Sequence, residues 1–99
     1  MSVLVITKFN GDSATLRQSL SERTAEFQKV VDAARAQGCI HHQFGIGEDF
    51  ALVVDEWESV EQFQRFFADP ELQAFIATTG ARPEPPQILV ADALTVTQF

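Results

Sequence analysis

Three short segments, Val3-Leu4-Val5-Ile6, Ala51-Leu52-Val53-Val54 and Ile88-Leu89-Val90-Ala91, are apolar at every position. Runs of this length, rich in β-branched residues, read as strands. Successive side chains of a strand point to opposite faces, so a sheet with one wet face alternates apolar and polar residues. These three segments do not alternate. Whatever sheet they build needs cover on both sides.

The punctuation between them sets the order of elements. Residues 3–9 form the first predicted strand, and Asn10-Gly11-Asp12-Ser13 is a turn cluster in which Asp12 or Ser13 can cap a following helix. In that helix Leu16, Leu20, Thr24, Phe27, Val31 and Ala34 recur at spacings of three and four and make one apolar stripe. Gly38 stands where a helix commonly ends in a left-handed residue. Cys39 to Phe44 and Phe50 to Trp57 read as two strands joined by a glycine-bearing hairpin loop over 45–49. Ser59-Val60-Glu61-Gln62 has the pattern of a capping box and opens a helix carrying Phe63, Phe66 and Phe67. Asp69-Pro70 interrupts that helix, and a short segment with Leu72, Phe75 and Ile76 continues its apolar face. A proline-rich linker over 80–86 leads to a fourth strand from Ile88 to Val96.

The order β-α-β-β-α-β predicts an α+β, ferredoxin-like fold, a four-stranded antiparallel sheet with both helices on one face. With 99 residues, 1–99 is read as a single domain. The helices can cover only one face of the sheet. The other would be an apolar patch larger than monomers usually leave in water, so a homodimer through the sheet face is expected. At ~25 cal/mol per Å², burying even ~600 Å² of apolar surface supplies about 15 kcal/mol before association costs.

Charge narrows the partners. The formal net charge is −7, with seven Lys and Arg against fourteen Asp and Glu. Between Glu48 and Glu71 the only basic residue is Arg65. Nucleic acids and anionic membrane surfaces draw affinity from clustered cations, so neither is an expected partner. No run reaches the roughly 18 apolar residues that span a membrane, and the N-terminal Met-Ser-Val-Leu-Val-Ile enters a strand pattern with no basic leader. Cys39 is the only cysteine, which excludes an intrachain disulfide and points to a reducing, cytoplasmic setting.

With this element order and the segment Asp55-Glu56-Trp57-Glu58-Ser59-Val60-Glu61-Gln62-Phe63, the chain resembles the dimeric α/β-barrel superfamily, and within it the antibiotic-biosynthesis-monooxygenase-like domains. The likeness covers nearly the whole chain and rests on a strand ending in acid-x-Trp followed by a Ser-capped aromatic helix. It implies architecture more than reaction, because such domains include cofactor-independent oxygenases of polyketide phenols, haem-degrading enzymes, isomerases and dimers without known activity. Matched from Trp57, the haem-degrading pattern finds Phe66 at its helical Trp position and Ile76 at its His position. No axial ligand remains for iron. The phenol-oxygenase pattern keeps Trp57 but has Val53 where an Asn would stand and Phe63 near a Tyr position.

His41-His42 is the candidate source of chemistry, since a partly buried imidazole is a general base near neutral pH. Neighbours on a strand face opposite ways, so the pair is not a metal site. A hairpin centred on Gly47 sets His41 beside Val53 on the face of Asp55 and Trp57, with His42 on the face of Leu52 and Val54. Cys39 shares the His41 face but lies ~6.5 Å from it on a flat strand, too far for proton transfer. The bland alternative is one His at the dimer interface and the other a satisfied core group. Trp57, Phe66 and Phe63 are candidate walls of a pocket for an apolar aromatic molecule, and Asn10 a candidate orienting group. Their alternatives are a strand-to-helix anchor, ordinary core packing and a turn residue. Two functions stand side by side. One is a small enzyme with His42 or His41 as base, without metal or organic cofactor, acting on an aromatic or polyketide-like molecule as the resemblance implies. The other is a non-catalytic small-molecule-binding or stress-responsive dimer, with a purely structural interaction module behind both.

Overall fold

The computed structural model describes residues 1–97. Its elements are β1 (Val3–Asn10), α1 (Ser13–Glu22), α2 (Thr24–Ala36), β2 (Cys39–Gly47), β3 (Phe50–Trp57), α3 (Val60–Phe67), α4 (Pro70–Ile76) and β4 (Gln87–Asp92). The four strands form one antiparallel sheet in the order β2-β3-β1-β4, the ferredoxin-like arrangement that the element order predicts.

Caps explain where the helices start. Asp12 precedes α1 and its carboxylate accepts from the Thr15 amide at 3.0 Å. Ser59 precedes α3, its Oγ accepting from the Gln62 amide at 3.2 Å and donating to Gln62 Oε1 at 2.8 Å. Asp69 caps α4, with Pro70 in the first turn where its missing amide costs nothing. The first crossover departs from the single predicted helix: it breaks at Arg23 into α1 and α2. Hydroxyls compete for the carbonyls there. Thr24 Oγ1 donates to the carbonyls of Leu20 and Ser21, and Ser21 Oγ to that of Gln18.

Two strand boundaries also differ. The hairpin turn is tighter than the predicted loop, because Gly45 and Gly47 stay in β2 and the left-handed residue is Asp49, at φ 63°. Gly47 serves another purpose: a Cβ there would run into the Phe50 ring as it is placed. The fourth strand ends at Asp92 and not at Val96. Its partner β1 begins at Val3, and after the Ala93 amide donates to the Ser2 carbonyl no strand is left to pair with.

One side of the sheet carries Val3, Val5, Cys39 and Trp57, which pack with Ala34 and Phe63 into the core. Their neighbours on the opposite side include Leu4, Val54 and Leu89, at 39%, 37% and 57% exposure, with Ile6 and Leu52 half-buried between them. The uncovered apolar face inferred from the sequence is present. It also wraps around the β4 edge, where all six residues are exposed, Ile88 and Val90 on the helix side among them.

Candidate functional site

The site is set by register on β2 and β3. Downstream of the bulge, Gly47 pairs with Phe50, Phe44 with Val53 and His42 with Asp55. Between Cys39 and His41 the register shifts, because Cys39 faces Trp57 while His41 faces Glu56 and Ile40 has no partner. The sequence expectation for the two histidines is therefore reversed. The turn lies three residues further along the pairing than a hairpin centred on Gly47, and an odd shift exchanges every side chain between faces. His42, not His41, lies on the helix side with Asp55 and Trp57. His41 is exposed on the outer face, and the bulge puts Cys39 on the His42 side.

Directly opposed residues on an antiparallel pair have side chains close enough to bond. His42 Nδ1 lies 2.7 Å from Asp55 Oδ1. Two residues on, along the same face of β3, the Trp57 indole Nε1–H donates to Asp55 Oδ2 at 3.2 Å. Both carboxylate oxygens of a buried aspartate are thereby occupied. An ionised carboxylate only accepts, so in a neutral ring this contact favours the tautomer with its hydrogen on Nδ1 and the lone pair on Nε2. Nε2 is buried and has no hydrogen-bond partner among the described residues. The Phe44 ring meets the imidazole edge-on, with centroids 4.4 Å apart.

His42 and Asp55 border a half-open cavity of about 110 Å³ between the sheet and the helices. Its walls are overwhelmingly aromatic and aliphatic, with Phe27, Phe44, Phe63, Phe66, Phe67 and Phe75 among them. Among the described residues, the polar side chains on the wall are Thr7, His42, Asp55 and Thr79, with no Lys or Arg. A shallower groove of about 450 Å³ shares the Leu20 and Phe44 walls and extends past Arg17, Ser21 and Ile46.

The remaining candidates fall in different places. Phe63 and Phe66 line the cavity. Trp57 is fully buried behind that wall, packing on Phe63 and Phe66 at centroid distances of 5.7 and 5.3 Å. It supports the rings and does not line the space. Asn10 is outside the cavity, exposed at the end of β1, with Nδ2 3.5 Å from Glu84 Oε1. Cys39 donates its thiol to the His41 carbonyl at 3.2 Å, and burial, followed by the charge of Asp55, pushes the thiol up to about 11. At neutral pH it is no thiolate nucleophile. Phe27 and Phe75 read from the sequence as apolar helix face and Phe44 as the end of a strand, because periodicity marks an inward face without showing that the interior leaves a gap.

No family model and no curated protein matches the sequence. Solved structures do. A monooxygenase from the gene ActVA-Orf6 of Streptomyces coelicolor, in complex with nanaomycin D, superposes at a TM-score of 0.70 and 20% identity, covering 95% of this chain and 88% of that one. SnoaB, a cofactor-independent oxygenase from Streptomyces nogalater, gives 0.66 and 13%, covering 99% and 98%. Rv0793 from Mycobacterium tuberculosis gives 0.64 and 17%, covering 98% and 99%. The β-α-β-β-α-β order, the 2-3-1-4 sheet and these superpositions agree: the chain has the fold of the antibiotic-biosynthesis-monooxygenase-like domains.

Proposed function

We propose that the protein is a small cofactor-independent monooxygenase-like enzyme acting on an aromatic or polyketide-like molecule, with His42 as general base. One observation carries the reading. A buried imidazole nitrogen, His42 Nε2, has no hydrogen-bond partner among the described residues, and its ring borders a cavity whose walls are mostly apolar. Such a group costs stability unless something presents it with a hydrogen. A substrate with an acidic C–H or O–H does so, and loses that proton to Nε2. The resulting anion is stabilised by the imidazolium it creates, itself paired with Asp55. Oxygen then reacts with the anion: a CH₂ becomes C=O, one oxygen atom staying in the product and the other leaving as water. The substrate supplies all the electrons, and the protein supplies the base and the dry walls.

At about 110 Å³ the cavity is smaller than the roughly 150 Å³ that accommodates benzene, so it encloses at most one ring. A larger molecule extends through the half-open side, and the groove that shares Leu20 and Phe44 gives it a path. That tight fit also favours a second reading, a binding or stress-responsive protein of the same architecture without turnover. In either case the exposed sheet face is proposed to pair with a second copy of the chain, and the lone thiol suits a reducing cytoplasm.

Anthrone, whose methylene is acidic and whose oxidation product is anthraquinone, separates the readings. The wild type should consume oxygen and form anthraquinone. His42→Ala should lower the rate by at least about 100-fold, as expected for losing a general base, while His41→Ala leaves it unchanged. Equal rates for wild type and His42→Ala would remove His42 from the mechanism. Binding of nanaomycin D with no oxygen uptake would establish the second reading.

A further inference from the structure

Asp55 has two oxygens with two different clients. Oδ1 takes His42 Nδ1 at 2.7 Å and Oδ2 takes the Trp57 indole at 3.2 Å. Trp57 and His42 differ in one respect that matters. An indole Nε1–H can only donate, whereas a neutral imidazole can donate or accept at Nδ1 depending on its tautomer. Trp57 is also held by its surroundings: it is fully buried and packs against both Phe63 and Phe66. The rigid donor therefore dictates how residue 55 must present itself, and residue 55 dictates which nitrogen of His42 carries the hydrogen.

We infer that Asp55 is a positioning residue and that the Trp57 indole, out of reach of any ligand in the cavity, locks it so that His42 offers an acceptor nitrogen to the cavity. This assignment rests on the reading of His42 as the base and extends it to Asp55, which acts through His42, and to Trp57, which lies behind the cavity wall. It explains why a tryptophan whose ring lines no pocket still ends β3 on the face of the site, two residues from the carboxylate.

The lock has a consequence that simple loss of charge does not. In Asp55→Asn the amide has one acceptor and one donor end. The oxygen must serve the indole N–H, because the reverse orientation sets two donors against each other in a buried place. The NH₂ end is then turned to His42, whose Nδ1 must accept, and the hydrogen moves to Nε2. The side chain that faced the cavity as a base now faces it as a donor. If the indole N–H is removed as well, residue 55 is free to turn its oxygen back to His42 and the original tautomer returns. Trp57 is the only tryptophan in the chain, so residue-wide replacement by 3-benzothienylalanine, which keeps the shape and lacks the N–H, changes this position alone.

The test is the ¹⁵N spectrum of the two ring nitrogens of His42, read at a pH where the ring is neutral. The wild type should show the hydrogen on Nδ1. Asp55→Asn should move the tautomer population toward Nε2–H by at least about tenfold, and Asp55→Asn with benzothienylalanine at 57 should move it back. Asp55→Ala, which removes the acceptor, should also favour Nε2–H and serves if the Asn protein does not fold. A wild type with Nε2–H, an Asn variant that keeps Nδ1–H, or a double replacement that fails to restore it would each overturn the lock. The spectrum needs no turnover, so the two ideas fail separately. An Nδ1–H wild type with a fully active His42→Ala would discard the base and keep the lock. An inactive His42→Ala with an unmoved tautomer in Asp55→Asn would do the reverse.

Discussion

Replacing Trp57 by Phe tests whether the indole bond to Asp55 exists in solution, and the structure gives its size. The side chain is 0% exposed, so nothing it loses is recovered from water. The smaller ring leaves about 40 Å³ empty, which at ~24 cal/mol per Å³ is about 1 kcal/mol. Loss of the N–H leaves one oxygen of a buried carboxylate without its donor, and a hydrogen bond to a charged group contributes about 1.5–3 kcal/mol. The sum is about 2.5–4 kcal/mol, a large share of the roughly 5–15 kcal/mol that holds a domain of this kind together. Urea unfolding followed by far-ultraviolet circular dichroism reads the change without needing the fluorophore that has been removed. With an m-value of about 1.5 kcal/mol per molar, the midpoint should fall by ~2 M. Both proteins must be compared at one concentration, because association adds to apparent stability. Benzothienylalanine at 57 isolates the hydrogen-bond share, since its shape is nearly that of Trp. A midpoint shift under ~0.5 M for Trp57→Phe would mean that the Trp57–Asp55 bond contributes nothing, and the argument built on it would go too.

The apolar outer face should make the protein sediment at micromolar concentration as a particle of twice 11.0 kDa, and Val54→Asp, at the middle of that face, should return it to one chain. A wild type that stays a single folded chain would refute the second-copy reading. Cys39 should react with a disulfide reagent in the native state only as pH approaches about 11, raised from an ordinary 9.0 by burial and then by Asp55. The sign follows from the shift: the folded state holds the proton more tightly, so this contribution is intact below pH 9 and is lost as pH climbs toward 11. Fast labelling at pH 8 under native conditions would show that the thiol is not shielded.

The fold was legible because its signals are local and redundant. Three fully apolar tetrapeptides, a Ser-capped helix of phenylalanines and a proline after Asp69 each specify an element without knowledge of the others. What could not be read depends on pairing. The glycines at 45 and 47 attract a turn assignment, since glycine usually marks positive φ. Here Gly47 leaves room for the Phe50 ring, and Asp49 takes the left-handed position instead. The end of β4 likewise belongs to its partner: Leu94 and Val96 are as strand-prone as Leu89 and Val90, but the ladder with β1 stops at the Val3–Asp92 pair. The break at Arg23 depends on which carbonyls Ser21 and Thr24 find, and it leaves Thr24, read from the sequence as part of the apolar stripe, exposed.

The site turns on the same distinction. Asp55 and Trp57 share a face whatever the register, because they are two apart on one strand, and this much is plain from sequence alone. Their partner on β2 is not. His41 and His42 are equivalent candidates in composition, and a slip of a single residue decides between them. The structure chooses through two separate features, a turn at Glu48-Asp49 that fixes the register of β2 from Gly47 back to His41, and a bulge at Ile40 that shifts it once more for Cys39. Without the bulge Cys39 would face outward, on the side of His41. With it, a protonated thiol fills the place beside Trp57 and the core closes behind His42, while the exposed Ile40 side chain is left on the surface at 55% exposure. The irregularity in the sheet therefore separates two tasks along one strand: its far part presents an imidazole to a cavity, and its beginning seals the core that holds the indole in place.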